Sequence, residues 1–439
     1  MKLACALLGT SCLLSTSILF SQRTISEAEV TKVHKSLLVI DTHNDVTSRT
    51  VEGFDIGKRA SDGHTDVPRL REGGVGAQFF AVYVAGGFTE GNRSANRAMQ
   101  MIDTVRHDIV GKYPETFELA STAADIERIH KKGKIAALMG IEGGHAIEDS
   151  LRLLRDFYKL SIRYMTLTHS NTNNWADSSG DVTRDTVKHH NGLTPFGKDV
   201  IREMNRLGMM VDISHVADKT FWDALEVSTA PIFASHSSCR AIANVPRNMT
   251  DEMIVALAKK GGVVQVNFSC GFLSPNASEN RMTPEMQKKF QERTGGRIVA
   301  TEERRKIMAE LRKEAGMKEV RATLADAVAH IEHIKKLTGS VDAIGIGADF
   351  DGVGCTPEGL DDVSKYPNLT RALLEKGYTV DELKKIYGGN LLRVMRGVEK
   401  AATKNPLKVA KARRSYPANG DGPRRPTTMA ESTTPQLRN

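Results

Sequence analysis

Aromatic residues make up only 5% of the 439-residue chain, against 40% hydrophobic residues overall. That is material for one large core or two ordinary ones, and a single barrel of this size is permitted. Cysteine is also scarce. Of the five, Cys5 and Cys12 fall in the first apolar stretch, leaving Cys239, Cys270 and Cys355. Three scattered cysteines are not a disulfide framework, so an exported chain of this kind is expected to be held by its core, with at most one disulfide left open. Long apolar runs are missing too. The stretch after Lys2 ends at the polar Ser21-Gln22-Arg23 and falls short of the roughly 20 residues a spanning helix needs. A basic start, a short apolar segment and a polar exit read as an export signal over residues 1–22. A retained anchor stays open, whereas Leu8-Gly9-Thr10-Ser11 ahead of Cys12 matches a lipoprotein signal poorly.

The formal charge of +8 is not a nucleic-acid signature once it is located. Residues 404–439 hold eight Lys or Arg side chains against Asp421 and Glu431, which accounts for +6 and leaves the body close to neutral. Rich in Pro, Ser, Thr, Gly and Asn and without apolar periodicity, this basic tail is expected to be disordered. It also lacks the hydrophobic end of a lipid-anchor signal. Residues 23–403 form the expected folded unit, secreted or periplasmic.

Within that unit, short apolar runs alternate with helical periodicity. The runs are 37–40, 77–84, 136–141, 164–168, 209–213, 231–235, 262–268 and 343–347. Helices are predicted over 92–110, 123–131, 149–159, 195–207, 218–227, 251–259 and 322–337. Most runs are too apolar to alternate in and out, as for parallel strands covered on both faces. Eight β-α units predict an α/β fold, a (β/α)8 TIM-type barrel, with a doubly wound open sheet as the alternative. Residues 271–321 form a helical insertion between strands 7 and 8 that includes a charged helix at 301–315. A terminal helix pair at 379–402 is expected to cap the barrel.

Metal-ligating residue types recur where these strands end, the rim on which such barrels carry their chemistry. The first run leads to His43 and Asp45, the third to Glu142, the fourth to His169, the fifth to His215, the sixth to His236 and the eighth to Asp349. Residues i and i+2 of a strand point to one side, so His43 and Asp45 can share a cation. A hydrogen-bonded His–Asp pair would explain these two alone, a helix cap would explain Glu142, and core histidines would explain His215 or His236. Polar residues at six of eight strand ends are much harder to explain as packing, because burying that many ionisable groups without a cation is costly. Imidazoles and carboxylates together suit zinc or a similar ion. Five candidate ligands exceed one open site, so two metals sharing a carboxylate fit better, an arrangement that activates water and polarises the group it attacks. His34, His64, His107, His130, His330 and His333 are read as surface or packing residues, and His189 and His190 as solvent-facing.

The segments "DTHNDV", "IEGGHAI", "LTHSNTNNWADSS", "DISHVAD", "SHSSCRAIANVPRNMTDEMI", "GIGADFDGV" and "YGGNLLRVM" resemble the motifs of the membrane (renal-type) dipeptidases, peptidase family M19 of the metal-dependent hydrolases. The resemblance spans roughly residues 33–400. It implies a zinc metallopeptidase acting on dipeptides, tolerant of a D-residue at the substrate's C-terminal position. It assigns His43 and Asp45 to one Zn2+, His215 and His236 to the other, and Glu142 to the bridge. His169 would stabilise the oxyanion. Arg247 would bind the substrate carboxylate, which suits a planar guanidinium. Asp349 would carry a proton to the leaving amine, with Asp351 its close rival. The lipid anchor and covalent dimer of mammalian members do not carry over, and a homodimer stays open. Other amide, ester or β-lactam hydrolysis on the same barrel, or a non-catalytic binding role, are the remaining readings.

Overall fold

The computed structural model describes residues 24–403 apart from 278–282, 298, 300 and 318–319. The expected export signal and basic tail lie outside the described residues. All eight apolar runs become strands: β1 Val39–Asn44, β2 Val75–Tyr83, β4 Ile135–Glu142, β5 Ile162–Thr166, β6 Met210–Asp212, β7 Phe233–Ser237, β8 Val263–Val266 and β9 Ile344–Ile346. One strand was not expected, β3 Phe117–Leu119. It pairs with Ile135–Ala137 of β4, the stretch that β5 leaves free because β5 joins β4 only from Met139 onward. All pairings are parallel, and the order β1-β2-β4-β5-β6-β7-β8-β9 follows the chain without the reversal a doubly wound sheet requires.

The barrel closes between β9 and β1 at its C-terminal rim. Asp349 N–H donates to the His43 carbonyl at 3.1 Å and Asp45 N–H to the Phe350 carbonyl at 2.8 Å, while the Asp41 carboxylate accepts from Ala348 N–H at 3.0 Å. The Thr42 hydroxyl donates to the Ser235 carbonyl of β7 at 2.6 Å, crossing the lumen. Deeper in, Phe79, Tyr164 and Phe233 fill the interior. They sit on β2, β5 and β7, which are not neighbours, yet their rings meet at 5.5 and 5.4 Å. Gly140 makes room for this plug, since a Cβ there would stand 2.0 Å from the Tyr164 ring.

The predicted helices form close to their expected bounds, several for visible local reasons. Thr122 and Thr323 close capping boxes with Asp125 and Asp326, and Thr194 caps a helix whose first residue is Pro195. The expected terminal pair is instead one continuous run, Val380–Lys384, a π-helical turn Lys385–Gly389 and Asn390–Thr403. Its Leu391, Val394, Met395 and Val398 join the apolar cluster that contains Phe79, Tyr164 and Phe233, so it covers the barrel floor. A helix at Tyr366–Glu375 was not expected. The insertion holds two helices, Pro284–Thr294 and Thr301–Glu314, the first of them also unforeseen. The second packs against the short helix Val46–Thr50 that leaves Asp45, which sets the insertion beside the site.

The single disulfide that the sequence left open is present. Cys270 and Cys355 form a disulfide across 85 residues, and Cys239 is free and buried. The bond ties the segment after β8 to the loop after β9, reinforced by Cys270 N–H donating to the Cys355 carbonyl at 3.2 Å. The core is therefore not the only restraint on these two loops. A Cys270→Ser/Cys355→Ser double variant is expected to lose about 2–5 kcal/mol of stability. Urea denaturation of oxidised wild type and variant checks this, and coincident midpoints would refute it.

Candidate active site

β1 ends by placing His43 and Asp45 on one side, with His43 Nε2 3.2 Å from Asp45 Oδ2. Asp45 precedes the helix Val46–Thr50 but makes no side-chain capping bond, so its carboxylate is free for the site. The other face of the imidazole is fixed from below. Tyr164 donates its hydroxyl to the Thr42 carbonyl at 3.1 Å and therefore accepts from His43 Nδ1–H at 2.8 Å. That bond leaves the Nε2 lone pair directed at the carboxylates. Nε2 is fully buried and makes no hydrogen bond among the described residues.

Glu142, at the end of β4, makes no cap for the following turn Gly144–Ile147. Its two oxygens look in different directions. Oε2 lies 3.5 Å from His43 Nε2, while Oε1 lies 3.0 Å from His215 Nε2 and 3.3 Å from His236 Nε2. His215 and His236 bring their Nε2 atoms within 2.9 Å of each other. Imidazoles from β1, the turn after β6 and β7 thus converge on one carboxylate at the end of β4. His215 reaches it through a left-handed backbone (φ 65°), as does Asp349 (φ 65°). Such a conformation costs a non-glycine residue roughly 1–2 kcal/mol and persists only when the surroundings enforce it.

The electrostatics follow from burial. Burial raises the carboxyl pKa of Asp45, with the charge of Glu142 adding to the effect, and burial raises that of Asp349 strongly, with the charges of Asp45 and Glu142 adding to it. For Glu142, burial is outweighed by the nearby imidazoles, His43 and His169 first and then His215 and His236, so it stays well below the usual carboxylate range. Burial, aided by the positive field of Arg247, keeps His215 and His236 neutral far below their ordinary pKa. At His43 burial is overcome by Tyr164, Glu142 and Asp45, which hold its affinity for positive charge well above normal. Three buried carboxyl groups crowded together with imidazoles are costly on their own, and one or more cations would let all three ionise. Three overlapping groups have ligand atoms within 4.8 Å of one another: His43, Asp45 and Glu142; Glu142, His169 and His215; and His43, His236 and Asp349. Nitrogen and oxygen donors at this spacing fit metal ions, and His43, Asp45, Glu142, His169, His215, His236 and Asp349 all offer atoms that could hold one.

His169 stands at the edge of this cluster, its Nε2 3.8 Å from Glu142 Oε1 and its ring edge-on to Tyr83 at 4.9 Å. Asp349 Oδ1 comes to 4.0 Å from His43 Nε2 and its Oδ2 accepts from Asn267 Nδ2 at 2.9 Å. Its rival Asp351 turns away, taking the His64 N–H at 3.0 Å and facing Arg49 at 3.6 Å. Arg247 donates to the Ser237 hydroxyl at 2.7 Å and the His236 carbonyl at 2.6 Å, and its Nε is buried without a partner. No described carboxylate lies within ion-pair distance of its guanidinium, whose pKa burial lowers to about 10. A cation held beside the site without a counterion is suited to an incoming carboxylate.

The model of the membrane dipeptidase family, peptidase family M19, matches residues 27–409. The chain belongs to the M19 family. It is accordingly a metal-dependent peptidase on a (β/α)8 barrel. A protein of Schizosaccharomyces pombe named an uncharacterized dipeptidase is 37% identical over 82% of this chain and 81% of its own length. Mouse Dipeptidase 3 is 36% identical over 84% of this chain, which spans 66% of the mouse protein. Among solved structures, a metallo peptidase from Rhodobacter sphaeroides liganded with a phosphinate mimic of L-Ala-D-Ala shares the fold, with a TM-score of 0.66, 24% identity and coverage of 82% of this chain and 99% of that one.

Two strand ends of this M19 chain carried no expected site residue, and the structure fills both. Tyr83 closes β2 against His169, and Asn267, just past β8, orients Asp349. The signal for Asn267 was its place directly after the apolar Val263-Val264-Gln265-Val266, at the position equivalent to the ligands of the other strands. Of the histidines set aside, His34 and His330 are buried packing residues, as expected. His190 is not solvent-facing, because its Nε2 meets the Asn173 carbonyl at 2.8 Å and holds the loop.

Gly352 marks how tightly the rim is packed. A Cβ there would lie 2.2 Å from Asp349 Oδ1 and 2.4 Å from Asp45 Oδ2. Gly352→Ala is therefore expected to displace both carboxylates and lower peptidase activity at least ~10-fold, with little change in the thermal melt. Metal content by mass spectrometry and steady-state kinetics test it, and a fully active, fully metallated variant would contradict it.

Proposed function

We propose that this chain is a dinuclear zinc dipeptidase that hydrolyses the single peptide bond of dipeptides and accepts a D-residue at the C-terminal position. The observation that carries the reading is the division of Glu142, one oxygen toward His43 and the other toward His215 and His236. His43 and Asp45 would hold one ion, His215 and His236 the other, with Glu142 shared. Two such ions, when bound, supply an activated water and polarise the scissile carbonyl.

The protein's own groups do the rest. Arg247 grips the substrate's free carboxylate, which limits the chain length on that side to one residue. His169, hinged against Tyr83 at the edge of the cluster, donates to the carbonyl oxygen as it becomes negative. Asp349, steadied by Asn267, takes the proton from the attacking water and delivers it to the departing amine. Its raised pKa, caused by burial beside Asp45 and Glu142, suits a group that must hold a proton between these steps. Tolerance of a D-residue is supported by the L-Ala-D-Ala mimic bound to the Rhodobacter sphaeroides neighbour.

Purified protein supplied with zinc is expected to release amino acids from both L,L and L,D dipeptides. Arg247→Ala should lower kcat/KM on these by roughly 100-fold while sparing a neutral ester, since only the dipeptide presents a carboxylate. Equal losses on both substrates would favour a different amide or ester hydrolase, and no release from any dipeptide would end the proposal.

An exported location also belongs to this reading. The N-terminal segment has the pattern of an export signal, and the Cys270–Cys355 disulfide suits an oxidising compartment. No helix among the described residues is long and apolar enough to cross a membrane. N-terminal sequencing of the mature protein should begin near residue 23. A chain that keeps Met1 in a reducing compartment would contradict it.

A further inference from the structure

Behind β7, the "DIS" of "DISH" and the "SH" of "SHSS" make an arrangement that the metal and substrate residues do not use. Asp212, at the end of β6, is completely buried. Its Oδ1 accepts the N–H groups of Ser214 at 3.0 Å and Ser235 at 2.8 Å, and its Oδ2 accepts the hydroxyls of Thr166 at 2.5 Å and Ser235 at 2.6 Å. No described basic side chain pairs with it. The Ser235 hydroxyl in turn lies 2.7 Å from Nδ1 of His236.

The direction of these bonds is decided by what each group can give. An ionised carboxylate only accepts, so Ser235 spends its single hydroxyl proton on Asp212. Its oxygen then has only lone pairs for His236, and Nδ1 must be the protonated nitrogen. The Nε2 lone pair is left facing Glu142 and His215. We infer that Asp212 is a positioning residue which, acting through Ser235, fixes the tautomer of His236 and so sets the affinity of the ion on the His215–His236 side. Tyr164 performs the same service for His43 by a different route, one hydroxyl donating to the Thr42 carbonyl. Each ion thus depends on one imidazole locked from behind, by a buried carboxylate on one side and by a phenol on the other. This inference rests on His236 being a ligand, as proposed above.

The near-isosteric Asp212→Asn reverses the logic. Its amide would donate to Ser235, Ser235 would donate to Nδ1, and the proton would move to Nε2, where the ion should bind. Ser235→Ala merely removes the instruction and leaves the ring free to choose. Zinc titration with a competing chelator should therefore give two ions per chain for wild type. Asp212→Asn should weaken one ion roughly 10- to 100-fold and leave the other unchanged, and Ser235→Ala should weaken the same ion less. Equal affinities in all three proteins, or a larger loss in Ser235→Ala than in Asp212→Asn, would overturn the inference. Fewer than two ions in wild type would instead defeat the dinuclear reading. Nitrogen-15 NMR of the zinc-loaded wild type gives a check independent of whether the variants fold: the His236 ring should carry its proton on Nδ1, and a proton on Nε2 would refute the relay.

Discussion

The rim of this barrel gathers three buried carboxylates, Asp45, Glu142 and Asp349, into a space shared with imidazoles that burial keeps uncharged. Such a cluster is costly in a protein interior, and the surrounding structure is arranged to tolerate it rather than to relieve it. The one nearby guanidinium, Arg247, is held by a hydroxyl and a carbonyl instead of by any of these carboxylates. The carboxyl groups are thereby left without Arg247 as a partner, and Arg247 without a carboxylate. Pairing Arg247 with Glu142 or Asp349 would make a more stable protein with neither group free.

That constraint explains why the seam and the site coincide. The last barrel pairing, between β9 and β1, is made by Asp41, His43, Asp45, Ala348, Asp349 and Phe350, so the hydrogen bonds that close the sheet also fix residues of the candidate site. The disulfide ties the loop after β9 to the segment after β8 just beyond this seam. Under the rim, the stack of Phe79, Tyr164 and Phe233 fills the lumen and lifts the Tyr164 hydroxyl to His43, so a packing core also orients an imidazole of the site. Stability and function are here properties of the same contacts.

Much of this was legible in the chain. Strands covered on both faces leave uninterrupted apolar runs, so all eight were visible, and the polar residues that ended six of them were visible too. β3 was not, because three residues paired to a partly free strand leave no periodicity to detect. The helix Pro284–Thr294 carries few apolar side chains, only Met286 among its hydrophobic residues being buried, and so lacked the usual stripe. A helix pair was expected over 379–402, yet a π turn absorbs Gly388 and Gly389 without ending the helix.

Residue type and spacing alone determined that His43 and Asp45 share a side, since a period of two is a local property of any strand, and that other ligand types stand at other strand ends. The family motifs added the roles expected of His169, Arg247 and Asp349. Only the folded chain could decide that Glu142 turns one oxygen to each imidazole set, that Asp349 rather than Asp351 enters the site, that Arg247 goes without a counterion and that Cys270 finds Cys355. Each of these depends on distances between segments far apart in the chain, which local pattern does not encode and which are set when the barrel closes.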